Sequence, residues 1–535
     1  MSAVTDVLIA GAGPVGLTLA HELLRRGVRV RVVDAAAGPS ATSRALATHA
    51  RTLEIYDQMG VVGDILARGR KAQHFSIHRG GRRLVRFGPE YSRLPTRYPY
   101  TLVIDQALTE EVLREAVALR GVRVEWNTRL FSLDQNGTGV RALLRHADGT
   151  EETADASWLA GCDGGHSTVR RELGLTLVGD STERWLIADA VVDMDLPADS
   201  LHLVHVGSGT VMAVPFPQEG KWRLLDTVDT DHTEDPRLIA ARFSRKITAG
   251  SGVPARVHEP TWVSVFDIQQ RMIDRMRLGR CLVAGDAAHV HSPASGQGLN
   301  TGVQDAFNLA WKLAMVVRGE AAETCLDTYG AERVPVGARL LDATRTATGL
   351  VALKNAVQAM AMPVAFAVIR NVPGLQAAIE RKIMRSMTAL ALDYADGPLT
   401  RRAPEGPGPR PGQRAAQVTE EEAGALGWQA FLEELRDPRW TLVVHGVPEG
   451  GGDWLEHAAK EHSGWLSVRT AAEDAATGLG ALADPGGTAR RGLGLEPGGW
   501  LLVRPDGYLA ARGDRLTEAE LHSLLRALPL PEHTS

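Results

Sequence analysis

The chain has 535 residues, 44% of them hydrophobic and 23% charged, and a formal net charge of −5. That length provides for roughly two to four domains with substantial cores, and the lack of a basic surplus argues against a nucleic-acid binder. Three cysteines, Cys162, Cys281 and Cys325, lie far apart. They fit neither a disulfide framework nor a zinc site, and point to a reducing, cytoplasmic setting. The N-terminus has no basic region ahead of its glycine-interrupted apolar run, so no secretory signal is expected. Leu350 to Ile369 is strongly apolar but contains Lys354, Asn355, Gln358 and Pro363. A buried or groove-lining helix is expected there, not a membrane span.

In chain order, Asp6 to Ala10 reads as a strand, Leu17 to Arg26 as a helix, and Val28 to Val33 as a second strand ending at Asp34. Between the first two lies GAGPVG, Gly11 to Gly16. A lone GxGxxG is weak, but this one follows a strand, opens a helix and is answered by an acid 18 residues after its third glycine. That is the dinucleotide fingerprint: a pyrophosphate at the helix N-terminus and a carboxylate for a ribose hydroxyl. Asp34 would repel a 2′-phosphate, which favours FAD or NAD over NADP as the resident nucleotide. Just beyond lie Arg44 and Arg51; position favours a phosphate contact for Arg44 only. Gln106 opens a helix, Ala107 to Leu119, with Glu110 and Arg114 four apart as a stabilising pair. Strands are expected at Val122 to Glu125 and Val140 to Arg145.

Trp158 to Arg171 reads as a strand, a tight Asp163-Gly164 turn and a helix start. From Val178 to Val263 the pattern becomes alternating strands (Leu201 to Val206, Val211 to Phe216, Trp222 to Thr227), an inserted, mostly antiparallel sheet that could wall a pocket. Cys281 to Ala284 is a short buried strand delivering Asp286 at its carboxyl end, where ligands sit in open α/β sheets. A loop with Pro293, Gly296 and Gly298 follows, then a helical pattern from Asn300 through Leu313. A helix start after such a loop aims free N–H groups and a positive dipole end at its occupant, which suits a group that becomes anionic during turnover, as a reduced flavin does.

Three stretches together, GAGPVG with Asp34, Asp163-Gly164, and Gly285-Asp286 with PASGQGLN, supported by YGAERVPVG (Tyr329 to Gly337), resemble the group A FAD-dependent aromatic hydroxylases. The resemblance covers roughly Val4 to Val336 and is nearest to the actinobacterial hydroxylases of aromatic polyketide antibiotics. It implies that Gly11, Gly13, Val15 and Gly16 contact the FAD pyrophosphate and Asp34 the adenosine ribose. Arg44 and Gln106 would reach the pyrophosphate–ribityl region, with Arg44 also serving reduction. Asp163 is associated with both FAD and the nicotinamide nucleotide, and Asp286 with the ribityl chain. Pro293 would lie against the reactive edge of the flavin. Backbone N–H groups near Gly298, Leu299 and Asn300, following Gly296, would face its N1–C2 carbonyl. Many members carry two glycines where this chain has Ser295-Gly296.

The implied fold is α/β: a Rossmann-like FAD-binding domain (1–177 and 265–402, including a helical segment 342–402) with an inserted, mostly antiparallel substrate domain (178–264, joined by 74–100). Breaks in the helical segment are expected at Gly349, Pro363 and Pro373. A Pro/Gly-rich linker, 403–414, leads to 415–535, which resembles the thioredoxin-like C-terminal domain of some members. No CxxC occurs there, so it cannot perform dithiol exchange; a structural or oligomer-related appendage is expected, in a monomer or homodimer. The implied activity is hydroxylation of a polycyclic phenolic ring through a C4a-hydroperoxyflavin, with non-covalent FAD, NADPH (NADH second) and O₂. Baeyer–Villiger insertion and epoxidation are the alternatives within the class, and a non-catalytic flavin-binding protein acting through its C-terminal domain lies outside it. No metal site is expected, and the residues disclose no side-chain acid or base.

Overall fold

The structure is a computed structural model that describes residues 5–40, 45–88, 91–230, 235–292, 296–352, 366, 371–403, 405–446, 452–473 and 480–529. Its first strand, Thr5–Ala10, holds Val7, Leu8 and Ile9 at 1% exposure or less. Such a strand is covered on both faces, the situation of a parallel sheet between helices. It lies parallel to Val30–Val33 on one side and to Glu151–Gly161 on the other, and the latter is parallel to Cys281–Val283. Three hydrogen-bonded strands therefore end together. The Cys162 N–H donates to the Ala10 carbonyl at 2.7 Å, and the Ala284 N–H to the Gly161 carbonyl at 3.0 Å. The glycine loop, the Asp-Gly turn and the Gly-Asp turn leave this sheet side by side at its carboxyl edge.

The strand expected at Val122 to Glu125 is not formed. Only Glu125 pairs, as an isolated bridge to Val33, and the chain turns at once through Asn127 at φ 53°. Val140–Arg145 is a strand, antiparallel to the first half of Glu151–Gly161.

A nine-stranded sheet is built from Val178–Met194, Ser200–Val206, Gly209–Pro215, Lys221–Asp226, Ala255–Val257, Trp262–Met272, His289–Val290 and the earlier pair His74–Arg79 and Arg82–Phe87. It is mostly antiparallel; Ser200–Val206 and His74–Arg79 run parallel. Period-two alternation sends Trp185, Ile187, Leu203, Met212, Phe216 and Leu225 to one face. Leu186, Ala188, Val204, Trp222 and Leu224 face the other way, under the helix Pro236–Ser251 with its Phe243 and Ile247.

Helices dominate the chain between this sheet and the last one. Gly298–Val317 is buried over most of its length, and Asp327–Ala352 runs through Pro335 and Gly349, so the break expected at Gly349 is absent. One interior glycine costs a helix only about 1 kcal/mol. Pro373 opens the helix Pro373–Met387, a position where its missing N–H is harmless. Pro363 and most of the apolar stretch Leu350 to Ile369 lie outside the described residues. Among those described, no helix is long and apolar enough to cross a membrane.

The last sheet, in the order Ala481–Ala483, Leu466–Ala472, Trp440–His445, Trp500–Val503, Leu509–Gly513, has three parallel strands followed by two antiparallel ones. It is no loosely attached appendage. Trp440, Leu442, Trp500 and Leu502 share one apolar cluster with Trp311 and Met315 of the helix Gly298–Val317, and the Trp311 and Trp440 rings meet edge-on at 5.4 Å. The expected linker is also anchored: Gly412 donates to the Leu509 carbonyl at 2.7 Å, and Arg512 donates to the carbonyls of Pro407 and Pro409 at 2.7 and 2.9 Å. Arg51, for which the sequence favours no phosphate contact, is 3% exposed; it donates to the Asp506 carbonyl at 2.7 Å and lies over the Tyr508 ring.

Candidate flavin site

The glycines of the first loop divide by what faces them. Gly11, at φ 104°, could not carry a Cβ without striking the Cys162 carbonyl, and a Cβ on Gly16 would strike the Gly11 carbonyl. These two exist for close backbone packing. Gly13 has no atom within 4 Å of its would-be Cβ, so it borders open space. The helix it caps, Pro14–Arg25, has no side-chain cap and no acid in its first turn. Asp34 braces this loop, accepting from the Ala12 N–H at 2.7 Å and the Ala36 N–H at 2.8 Å. Val15 is a wedge: a Cβ on Gly285 or on Gly302 would come within 2.8 or 2.6 Å of its methyl.

At the neighbouring turn, the Asp163 carboxylate accepts from Ser167 Oγ, from the Thr168 N–H (2.6 Å) and from the Val169 N–H (3.1 Å). Its lone pairs thus cap the helix Thr168–Glu172. Sequence reasoning passed over Arg170. This buried guanidinium donates to the Ala287 carbonyl (3.2 Å) and the Gly165 carbonyl (2.9 Å), tying the Asp-Gly turn to the Gly-Asp turn. Its signal was its place three residues after a capping serine, on the face that must meet the next strand's loop.

Gln106 holds the other wall. Its Oε1 accepts from the Ala45 N–H at 3.1 Å and its Nε2 donates to Glu110 at 2.8 Å. Glu110 takes Gln106 as its hydrogen-bond partner; burial raises its carboxyl above the ordinary range, outweighing Gln106 and the expected Arg114 charge, which both lower it. Arg44 and Pro293 lie outside the described residues, as do Ser43 and Ser295.

Asp286 projects from the short turn Gly285–Ala287 and is exposed between two buried neighbours. Across from it begins the helix Gly298–Val317, again with no side-chain cap and no acid in its first turn. Gly298 faces nothing within 4 Å; Leu299 is half-buried. The Asn300 side chain is spent on structure: it accepts from the His49 N–H (2.9 Å) and donates to the carbonyls of Ala47 (2.8 Å) and Gly296 (2.7 Å). Gly296 sits at φ 62°, with Ala47 filling the place of its side chain.

The region thus offers two uncapped helix N-termini, two glycines bordering open space and one exposed carboxylate. Positive helix ends with free N–H groups bind anions, so these residues fit a group with a pyrophosphate at one end and a polar ring edge at the other. Beside the second terminus opens a cavity of about 630 Å³, lined by Gln297, Thr301, Val336, Arg339, Leu340 and Arg381, among others. Among the described residues its lining comes from the helices Gly298–Val317, Asp327–Ala352 and Pro373–Met387 and from the turn at 389–392. Cys162, Cys281 and Cys325 are buried and unpaired, and burial raises all three thiols, that of Cys281 up to about 12. Among the described residues no group of side chains could hold a metal ion.

Residues 4–344 match the FAD-binding-domain family. A 6-methylpretetramide 4-monooxygenase from Streptomyces rimosus is 54% identical over 532 residues, 99% of this chain and 95% of that protein. The structure of an anhydrotetracycline hydroxylase from Streptomyces rimosus superposes with a TM-score of 0.74 at 30% identity, covering 99% of this chain and all of that one. An aklavinone-11 hydroxylase solved with FAD and aklavinone gives 0.75 at 25% identity, with 99% and 100% coverage. The chain belongs to the FAD-binding-domain family of flavoprotein monooxygenases.

Proposed function

We propose that this monooxygenase hydroxylates an electron-rich carbon of a multi-ring phenolic substrate of the aromatic-polyketide type, consuming O₂ and NADPH, with NADH as the second choice of reductant. The reading is carried by its resemblance, over nearly the whole chain, to a monooxygenase named for 6-methylpretetramide. A cavity of about 630 Å³ beside the Gly298 helix start gives further support, since ligand pockets run from about 300 to 1,000 Å³.

FAD, when bound, supplies electron transfer and oxygen activation. The chain supplies the rest. Gly13 and the N–H groups of Val15 and Gly16 receive the pyrophosphate, with Gly11 shaping the turn. Asp34 meets the adenosine ribose while bracing the loop, and Asp286 the ribityl chain. The N–H groups of Gly298, Leu299 and Asn300 face the N1–C2 edge, where fixed donors stabilise developing negative charge without reorganisation. Gln106, Asp163 and Gly296 act by positioning loops. Arg44 and Pro293 keep the roles that the family resemblance implies, beside the pyrophosphate and against the reactive flavin edge.

We divide the chain as its sequence suggests: 1–177 with 265–402 for the flavin, 178–264 with 74–100 for the substrate, 403–414 as connection and 415–535 as a thioredoxin-like unit. The order Leu466–Ala472, Trp440–His445, Trp500–Val503, Leu509–Gly513, with a parallel first pair and antiparallel remainder, supports that last assignment. Three buried, unpaired cysteines support a reducing cytoplasm.

The test is NADPH oxidation by the purified yellow protein against a panel of polycyclic phenols. Oxidation stimulated by a panel member, with one oxygen added to that compound, is the expected result. Full flavin content with no response to any member would instead support a flavin-binding protein that acts through its C-terminal unit.

A further inference from the structure

A line of hydrogen-bonded side chains runs from the interior to His291, two residues ahead of Pro293. At its inner end Arg333 Nε donates to Asp305 Oδ1 at 2.6 Å, and the Gly285 N–H donates to Oδ2 at 3.1 Å. His289 Nε2 stands 2.6 Å from the same Oδ2, and His291 Nε2 stands 2.8 Å from His289 Nδ1. Asp305 is fully buried and ionised: burial alone would raise its carboxyl, but Arg333 and His289 hold it down to about 2. A carboxylate only accepts, so His289 Nε2 carries a proton. His289 Nδ1 then accepts from His291 Nε2–H, which leaves His291 Nδ1 as a lone pair. That nitrogen is buried and has no partner among the described residues. Burial, aided by the neighbouring His289 and opposed by Asp305, keeps His291 neutral well below its ordinary range.

This arrangement has two self-consistent protonation states. In one, both rings are neutral and His291 Nδ1 is bare. In the other, Nδ1 carries a proton, His291 Nε2 accepts, and His289 is an imidazolium paired with Asp305. One proton taken at the outer nitrogen interconverts them, and the charge comes to rest on His289 beside the Asp305 carboxylate, as a base backed by an orienting acid requires. A purely structural role is met by the His289–Asp305 bond alone and leaves the bare nitrogen without purpose.

We propose that His291 Nδ1 takes the proton of the substrate's ring hydroxyl during hydroxylation, passing its Nε2 proton to His289. This rests on the reading that the substrate is a phenol oxidised at the flavin. The O–H bond breaks with its electron pair staying on oxygen, an N–H bond forms at Nδ1, and the ring becomes an electron-rich phenolate. Reversal of both transfers returns the proton to the product oxygen. His291 is thereby a catalytic residue, and His289 and Asp305 are positioning residues. The base that the sequence did not disclose is supplied from two residues before Pro293.

The test compares the wild-type holoenzyme with His291→Gln on anthracen-2-ol, un-ionised at the assay pH, and 2-hydroxyanthraquinone, ionised because its carbonyls acidify it. General-base catalysis contributes roughly a hundredfold or more. The variant should therefore lose about a hundredfold in kcat on the first compound and only a few-fold on the second, with unchanged FAD content. Equal losses on both, or no loss on the first, overturn the proposal while leaving phenol hydroxylation intact. Hydroxylation of neither compound by the wild type brings down the parent reading and this proposal with it. Should the variant not fold, anaerobic titration of anthracen-2-ol bound to the wild type decides: a bound pKa below its solution value supports the relay, and one at or above it overturns the relay.

Discussion

Arg504, in the turn between the last two strands, and Glu332, in the helix Asp327–Ala352, are paired with no solvent exposure on either side. Arg504 donates to both Glu332 oxygens, at 2.6 and 2.8 Å. Lys312 Nζ shares one of those oxygens at 2.8 Å, while Asp506 accepts from Arg504, Asn308 and the Trp311 indole. Breaking a buried pair by removing one partner costs about 3–5 kcal/mol, because an uncompensated charge stays behind. Arg504→Ala should lower the thermal midpoint markedly and release FAD in the same transition, because Lys312 lies on the helix whose start we assign to the flavin. Truncation after Arg402 should give insoluble or flavin-free protein. A soluble, yellow truncated chain would show that the last sheet is dispensable.

Acid sensitivity should trace in part to Asp305. Its carboxyl, held at about 2 by Arg333 and His289 against the effect of burial, returns to an ordinary value near 4 when the chain unfolds. A depressed folded value gives stability that is present above pH ~4 and drains away as pH falls toward 2, worth about 2 kcal/mol. Asp305→Asn should be less stable than wild type at pH 7, and its stability should change less between pH 5 and 3. Urea titrations at pH 7, 5, 4 and 3 measure both; parallel curves would remove Asp305 from the account.

The residues that could be read from sequence are those whose partners are near in the chain or fixed by a repeated pattern. Gly11 to Gly16 and Asp34 belong to one strand–helix–strand unit, and the alternation from Leu201 to Thr227 needs only the strand period. What escaped is non-local. Asp163 is a local exception: its turn resembles a ligand site, and its carboxylate also accepts from the helix start five and six residues on. Lys312 and Asn308 sit within a helical pattern that reads as apolar, and their partners Glu332 and Asp506 are 20 and 198 residues away. The His289–His291 contact is local, yet its meaning depends on Asp305, which only the folded helix brings beneath it.

The glycines separate folding from binding. Gly16→Ala must strike the Gly11 carbonyl, so it should misfold or lose most soluble yield. Gly13→Ala meets nothing within 4 Å and should keep the wild-type thermal midpoint without flavin while binding FAD more weakly. Asp286→Ala should lose charge-assisted bonds of about 1.5–3 kcal/mol, on the order of tenfold to a hundredfold in FAD affinity. Soluble yield reads the first, and fluorescence titration of flavin-stripped protein reads the other two. Unchanged affinity in Gly13→Ala and Asp286→Ala together would move the flavin elsewhere.

Isotope labelling and one methyl group separate hydroxylation from its chemical rivals. Flavin-borne oxygen is a modest electrophile, so the ring must be electron-rich, and a phenolate is far richer than a phenol. A phenol with a pKa near 10 is only about 0.1% ionised at pH 7. The ring hydroxyl must therefore lose its proton, either to His291 or beforehand through neighbouring carbonyls. One atom from ¹⁸O₂ should appear as a new hydroxyl, or its quinone tautomer, ortho or para to the original one, with the carbon skeleton unbroken. Methylating the activating hydroxyl removes the proton to be lost, and should abolish hydroxylation while still permitting binding. Mass spectrometry of the product and NADPH consumption with the methyl ether measure both. A lactone or an epoxide, or undiminished turnover of the ether, would mean that ring activation by a phenolate plays no part, and would promote Baeyer–Villiger insertion or epoxidation instead.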